Sequence, residues 1–136
     1  MNIFFRFKDE VVTPPLAGTI LAGVTRDSVI TLCKHWGMKV VERPISIEEV
    51  VAAAKSGELL EAFGTGTAAA ISPVGVLSHK GAEVQIGGGK AGELSVQLFD
   101  YLMKLQHGEV ADPFNWVERI DKLDIEELAH WKMADR

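Results

Sequence analysis

Short apolar runs alternate along this chain with segments that carry helix start and stop signals, and this alternation predicts a fold that mixes strands with helices. Several of the strands are expected to be antiparallel neighbours in one sheet. The sequence therefore predicts a mixed α/β or α+β domain. In chain order, the strand candidates are residues 2–7, 11–13, 39–44, 59–63, 68–77 and 84–86.

The first helix is predicted to run from Arg26 to His35 or Trp36. Thr25 is expected to be its N-cap, because a threonine hydroxyl can accept a hydrogen bond from the first turn. Gly37 is expected to end the helix, since glycine adopts the left-handed conformation that often follows a helix.

The later helices are predicted from the same kinds of signal. Ser46 and Glu49 form a capping box at the start of the second helix, and Gly57 ends it. A longer helix spans roughly residues 93–106, and a last one is predicted to start at Asp124. Apolar residues share one face of the second helix (Ile47, Val50, Val51, Ala54) and of the third (Leu94, Leu98, Tyr101, Leu102, Leu105).

Composition excludes some classes of protein. A length of 136 residues fits one domain, and a net charge of -5 without a basic block argues against a nucleic-acid binder. Cys33 is the single cysteine, so a disulfide framework is excluded and a reducing, cytoplasmic location is expected. No apolar stretch is long enough to span a membrane, and the first residues lack a signal-peptide pattern.

A first anion-binding candidate is residues 21–28, LAGVTRDS, just ahead of the first helix. The N–H groups of a first helical turn have no partner inside the helix, and the helix dipole adds positive charge there. Gly23 removes bulk from the approach, and the Thr25 hydroxyl can add a hydrogen bond. On this segment alone an ordinary capped helix explains the pattern better.

A second candidate is residues 61–74, EAFGTGTAAAISPV. Two glycines separated by one residue allow conformations that expose successive N–H groups, and Thr65 and Thr67 supply hydroxyls. A glycine-rich turn between strands explains the same pattern equally well. Together, the two segments are consistent with one phosphate-bearing small molecule held by both.

Other candidate sites are weaker. In IGGGKAGELS, Lys90 is followed by alanine, whereas a Walker-type loop needs serine or threonine there. The four histidines lack metal-ligand spacing, so no metal is expected. Glu61 lies close to the Gly-Thr segment, but a structural role explains it better. From these residues alone we can predict a bound phosphate, but we cannot predict a reaction.

Five segments carry a resemblance to the C-terminal half of branched-chain amino acid aminotransferases, which belong to the fold type IV pyridoxal-phosphate enzymes. These segments are NIFF, TPPLAGTILAGVTRDSVI, ERPISIEE, EAFGTGTAAAISPV and GELSVQLFDYLMKLQHG, and they occur in this order. The match runs from Met1 to about Trp116. The implied fold is a mixed sheet or pseudo-barrel flanked by helices.

The resemblance implies site residues. Backbone N–H groups of Val24 and Thr25 hold the phosphate of pyridoxal 5'-phosphate, as does the Thr67 side chain, and Leu21 packs on the pyridine ring. The backbone of Thr67 and Ala68 receives the substrate carboxylate. The glycines of the two motifs, Gly23 and Gly66, complete the cofactor-binding set.

The resemblance also implies what the chain lacks. The lysine that forms the Schiff base with the cofactor lies upstream of the matched segment, so no catalytic residue is assigned here. Residues 1–118 are expected to be the cofactor-phosphate domain and 119–136 a helical extension, with the catalytic-lysine domain absent. The Cys-x-x-Cys pair of some relatives is replaced by Ala69 and Ser72, so that redox switch is not expected.

The implied function is the C-terminal part of an enzyme that exchanges the amino group of leucine, isoleucine or valine with 2-oxoglutarate, inactive without its other half. Its partners would be amino acids, 2-oxo acids, the absent domain and further copies of the chain, with no nucleic acid or membrane. Two alternatives stay open: a non-catalytic domain that binds a phosphorylated small molecule, and another fold type IV member, such as a D-amino acid aminotransferase or an aminodeoxychorismate lyase.

Overall fold

The structure is a computed structural model that describes residues 1–118. The chain divides into two compact units, residues 1–100 and 101–136, of which the second is described to residue 118. The predicted helix from Asp124 and the predicted extension 119–136 lie outside the described residues. The boundary expected at residue 118 stays a prediction.

A five-stranded sheet forms the centre of the first unit. Its strands are β1 (Asn2–Phe7), β2 (Val11–Thr13), β3 (Val40–Glu42), β4 (Leu59–Gly66) and β5 (Ala70–Pro73). The spatial order is β3-β2-β1-β4-β5, with β2 and β3 parallel and the other neighbours antiparallel. A separate hairpin pairs β6 (Val76–His79) with β7 (Ala82–Gln85). The prediction of a mixed sheet flanked by helices is confirmed.

The three helices predicted within the described residues are α1 (Val24–His35), α2 (Ile47–Ser56) and α3 (Glu93–Gln106). At the start of α2 the Glu49 N–H donates to Ser46 Oγ at 3.1 Å. Gly57 follows α2 with a φ of 77°, in the left-handed region that favours glycine. The α3 bounds agree with the sequence prediction, and the four leucines predicted on its apolar face are buried.

The two faces of the sheet pack against different helices. Phe4 of β1 and Phe63 of β4 are directly opposed and stack with ring centroids 5.3 Å apart, on the face that α1 covers. Asn2 and Thr65 lie on this same face, because strand side chains alternate and Asn2 is two residues from Phe4. The other face and α2 share a buried cluster: Phe5, Val50, Ala53, Leu59, Ala62 and Ile86.

The strands predicted at 39–44 and 84–86 are observed at Val40–Glu42 and Ala82–Gln85, and two other strand predictions are wrong by a wider margin. Residues 68–77 do not form one buried strand, because a turn at 67–69 precedes β5, and β6 begins at Val76 in the separate hairpin. The strand predicted for 59–63 continues through Gly66. The first Gly-Thr pair, Gly64 and Thr65, is therefore inside a paired strand, opposite Ile3 and Asn2, and not in a loop.

Candidate functional site

The first backbone amides of α1 are not capped by the side chain of the N-cap residue. Gly23 is the N-cap residue with extended backbone, φ −73° and ψ 136°, and it makes no side-chain cap. The first helical hydrogen bond runs from Asp27 N–H to the Gly23 carbonyl at 3.1 Å, so the amides of Val24, Thr25 and Arg26 precede it. The expectation that Thr25 caps the helix is wrong. The helix starts two residues earlier than predicted, because Gly23 already has the extended conformation of an N-cap, and Thr25 is its second residue.

The second Gly-Thr pair lies where β4 ends. Gly66 is the last residue of the strand and faces Ala70 across the hairpin. Thr67 and Ala68 follow in an exposed turn that closes at Ala70, whose φ is 47°. A turn of this kind leaves backbone N–H groups and the Thr67 hydroxyl accessible to a ligand.

Asn2 brings the two segments together. Its backbone is opposite Thr65, two residues before Thr67. Its side-chain amide donates to the Leu21 carbonyl at 3.1 Å, two residues before Gly23. Both predicted segments therefore lie at the same end of β1. The sequence analysis did not identify Asn2, although an asparagine in an otherwise apolar strand was a usable signal.

Arg26 fixes α1 from its buried side. The residue is 5% exposed, and its Nη2 atom donates to Glu42 Oε2 at 2.7 Å and to the Pro14 carbonyl at 3.0 Å. In the described part of the chain its Nε atom has no hydrogen-bond partner. These contacts hold the first turn of α1 against β3 and against the start of the segment 14–22. Sequence reasoning missed this role, because the partners are distant in the chain.

The side chains at the rim of the site are apolar and exposed. Leu21 is 85% exposed and Val24 is 83% exposed, whereas core side chains such as Phe4 and Phe63 are fully buried. An apolar surface beside free helix amides suits a ligand that has both a flat ring and an anionic group. The positive end of the α1 dipole adds to the attraction for an anion.

Glu61 has a structural role, as expected. Its carboxylate is 5% exposed and accepts hydrogen bonds from the Leu94 and Ser95 amides, each at 2.9 Å. Arg6 Nη1 donates to the same carboxylate at 2.7 Å. The side chain thus caps α3 and joins it to the sheet. These three internal donors occupy most of the roughly four acceptor positions of a carboxylate, which is what a structural role requires.

The first unit has another groove, whose charged side chains form ion pairs with one another. It encloses about 660 Å³ and is lined by Glu10, Lys39, Arg43 and Glu49 among others. Hydrogen bonding to Arg43 lowers the pKa of Glu49, and hydrogen bonding to Lys39 lowers that of Glu10. The groove charges neutralise one another, and neither predicted segment lines it.

Other reactive groups are unavailable or dispersed. Cys33 is completely buried, and burial raises the pKa of its thiol to about 11, so it is a packed side chain as predicted. Among residues 1–118, no cluster of three or more His, Cys, Asp or Glu residues is placed to hold a metal ion. No helix in this part of the chain is long and apolar enough to cross a membrane.

Comparison with known proteins places these features in a family context. A family profile described as amino-transferase class IV matches residues 1–76. Two relatives from Bacillus subtilis (strain 168), branched-chain-amino-acid aminotransferase 2 and branched-chain-amino-acid transaminase 1, are 52% and 51% identical. The matches cover 90% and 88% of this chain but 34% of each relative. The chain thus spans about one third of the length of these relatives.

Solved structures are similar in fold. The branched-chain amino acid aminotransferase from Escherichia coli superposes with a TM-score of 0.71 at 31% identity, over 89% of this chain and 38% of that one. The branched-chain amino acid aminotransferase from Thermobaculum terrenum, solved as a mutant, also gives 0.71, at 29% identity over 86% of this chain and 36% of that one. The described geometry and the sequence similarity therefore lead to the same group of proteins.

A third solved structure holds a ligand. It is a branched-chain amino acid aminotransferase from T.th. complexed with N-(5'-phosphopyridoxyl)-L-glutamate. It superposes with a TM-score of 0.70 at 26% identity, over 86% of this chain and 36% of that one. The ligand of that structure joins a pyridine ring and a phosphate to an amino acid.

Proposed function

The chain belongs to the class IV aminotransferase family, and we propose that it forms the part of a branched-chain amino acid aminotransferase that holds the phosphate of pyridoxal 5'-phosphate. The observation that carries the proposal is the open start of α1. Gly23 leaves the amides of Val24 and Thr25 ahead of the first helical hydrogen bond. In this proposal both amides donate to phosphate oxygens.

The turn after β4 completes the anion sites of the proposal. The Thr67 hydroxyl donates to the same phosphate, and the backbone N–H groups of Thr67 and Ala68 donate to the substrate carboxylate. Exposure of this turn and its position beside Asn2, which also contacts Leu21, support the assignment. Gly66, where an added Cβ would meet no atom within 4 Å, leaves the approach open.

The Leu21 side chain has the properties of a ring-binding residue. It is 85% exposed, and its carbonyl is fixed by Asn2. We assign it to one face of the pyridine ring, where burial of its apolar surface would add to affinity. Pyridoxal phosphate, when bound, supplies the electron sink that makes the Cα proton of an amino acid acidic.

The proposed whole activity is transamination of leucine, isoleucine or valine with 2-oxoglutarate. The printed names of the relatives support the branched-chain class of substrate. The chain covers 34% of their length, and in this proposal the catalytic lysine lies in the part it does not span. The chain by itself is then a binding unit that orients cofactor and substrate without moving a proton.

The proposal includes self-association and a cytoplasmic location. Within residues 1–118, three large apolar side chains are exposed by more than four fifths: Met1 at 86%, Leu21 at 85% and Val24 at 83%. Exposed apolar surface of this kind favours a protein partner, either the rest of the aminotransferase or another copy of the chain. The reduced, buried thiol of Cys33 is consistent with a reducing compartment.

Calorimetric titration with two ligands tests the proposal. Pyridoxamine 5'-phosphate and pyridoxamine differ only in the phosphate, and neither has an aldehyde that could react with surface lysines. We expect the phosphate to tighten binding by at least about tenfold, because charge-assisted hydrogen bonds are strong. Amide shifts at Val24, Thr25 and Thr67 in ¹⁵N spectra should accompany binding. Equal affinity for the two ligands would overturn the proposal.

A further inference from the structure

Asn2 is a buried polar residue in an apolar strand. It is 7% exposed and begins β1, where the residues that follow are aromatic or aliphatic except for Arg6. Asparagine is depleted in strands, and a buried side-chain amide is costly unless it is hydrogen-bonded. Its position therefore calls for a specific contact.

That contact is with the segment leading into α1. Asn2 Nδ2 donates to the Leu21 carbonyl at 3.1 Å, across 19 residues of sequence. The same nitrogen lies close to Gly23, where an added Cβ would approach it to 3.2 Å. The amide thus packs against the backbone of the N-cap residue itself.

Few other contacts fix this segment. Within residues 1–118, two side-chain hydrogen bonds connect residues 14–22 to other elements: Arg26 to the Pro14 carbonyl at its start and Asn2 to the Leu21 carbonyl at its end. Residues 16–22 between them are exposed. The Asn2 amide therefore anchors the end of the segment that lies next to the helix amides.

The main chain of the same residue reaches the second segment. Asn2 is the register partner of Thr65, two residues before Thr67. We propose that Asn2 is a positioning residue that sets the spacing between the first turn of α1 and the turn at 67–69. This inference rests on the proposed function and extends it, because one phosphate can accept hydrogen bonds from both segments only at a fixed separation.

The test compares two shape-conserving variants of the 136-residue chain. Asn2→Leu removes the donor and keeps the branched arrangement of side-chain heavy atoms. Thr65→Val is the matched control, because Thr65 is 1% exposed, faces Asn2 across the strands, and has no hydrogen-bond partner for its hydroxyl in the described residues. Asn2→Ala replaces Asn2→Leu should the latter fail to fold.

The first measurement needs no ligand. We expect Asn2→Leu to lower the ¹⁵N order parameters of residues 20–24 while those of α2 stay unchanged. Thr65→Val should leave the order parameters of both regions unchanged. If the order parameters of residues 20–24 are unchanged in Asn2→Leu, the inference is wrong. This outcome does not depend on whether the proposed function is correct.

The second measurement is the ratio of affinities for pyridoxamine 5'-phosphate and pyridoxamine. We expect Asn2→Leu to reduce this ratio by about three- to tenfold, as loss of one well-placed hydrogen bond implies, and Thr65→Val to leave it unchanged. General destabilisation of the fold would weaken the binding of both ligands equally and would leave the ratio of affinities unchanged. A ratio equal to that of the unmodified chain would contradict the positioning role.

Discussion

The Glu61 carboxylate accepts the Leu94 amide at 2.9 Å, across 33 residues of sequence, and so closes the N-terminus of α3 from a strand. The arrangement uses the same physics as the anion site that we propose at α1, but here the protein supplies the anion. The two helix starts therefore have different roles. Glu61 accepts hydrogen bonds from the start of α3, whereas no side chain among residues 1–118 does so at the start of α1.

Gly92→Ala should be strongly destabilising. A Cβ at Gly92 would overlap the Glu61 carboxylate, so the carboxylate would have to leave Leu94, Ser95 and Arg6. We expect a loss of about 2–4 kcal/mol in the free energy of unfolding, measured by denaturant titration. Gly66→Ala is the control, since its Cβ would meet no atom within 4 Å, and it should change stability by less than about 0.5 kcal/mol. Equal stabilities of the two variants would refute the role of Glu61.

Cys33 should be inert in the folded chain. Burial raises its thiol pKa from 9.0 to about 11, with the Arg6 charge opposing this shift. At pH 8 we expect negligible reaction with a disulfide reagent until denaturant is added. Because the folded-state pKa is raised, the associated stability is complete below pH 9 and declines as the pH rises towards 11. Rapid labelling of the native chain at pH 8 would contradict this burial.

Thr67→Val should weaken phosphate binding without affecting the fold. The hydroxyl lies in an exposed turn, so its loss should change the free energy of unfolding by less than about 0.5 kcal/mol. Affinity for pyridoxamine 5'-phosphate should fall by about tenfold, because one hydrogen bond to a charged group is lost. Thr31→Val makes the same chemical change on α1 beyond its first turn and should leave the affinity unchanged. Identical titrations for both variants would remove Thr67 from the site.

Local signals were sufficient for two helices and for the family resemblance, which is confirmed. The capping box at Ser46 predicts α2, and the spacing of apolar residues predicts both α2 and α3. Both signals involve residues that are only a few positions apart in the sequence. The first helix was predicted two residues short, because Thr25 and Gly23 are both acceptable N-cap residues in isolation. Only the extended conformation of Gly23 selects between them.

Features that depend on tertiary pairing were not predictable from the sequence. β4 includes Gly64 and Gly66 because β1 and β5 pair with them, although glycine is a poor strand former. The contacts of Asn2 with Leu21 and of Arg26 with Glu42 join residues 19 and 16 positions apart. Periodicity and capping rules describe neighbours within a few positions and cannot identify such partners.

The most direct test of the central claim replaces the first residue of α1 with proline. Val24→Pro removes one of the proposed phosphate donors, and a helix tolerates proline at this position because its N–H has no helical partner. The preceding Gly23 already has the extended conformation that proline requires of its neighbour. Ile47→Pro is the matched control at the first position of α2, which also follows an extended residue.

Both variants should keep the circular dichroism of the unmodified chain. Calorimetric titration with pyridoxamine 5'-phosphate should show that Val24→Pro weakens binding by about ten- to a hundredfold, since one charge-assisted hydrogen bond is lost. Ile47→Pro should bind as the unmodified chain does. If a folded Val24→Pro variant binds the phosphate ligand with unchanged affinity, the α1 amides do not hold the phosphate and the account of this site is wrong.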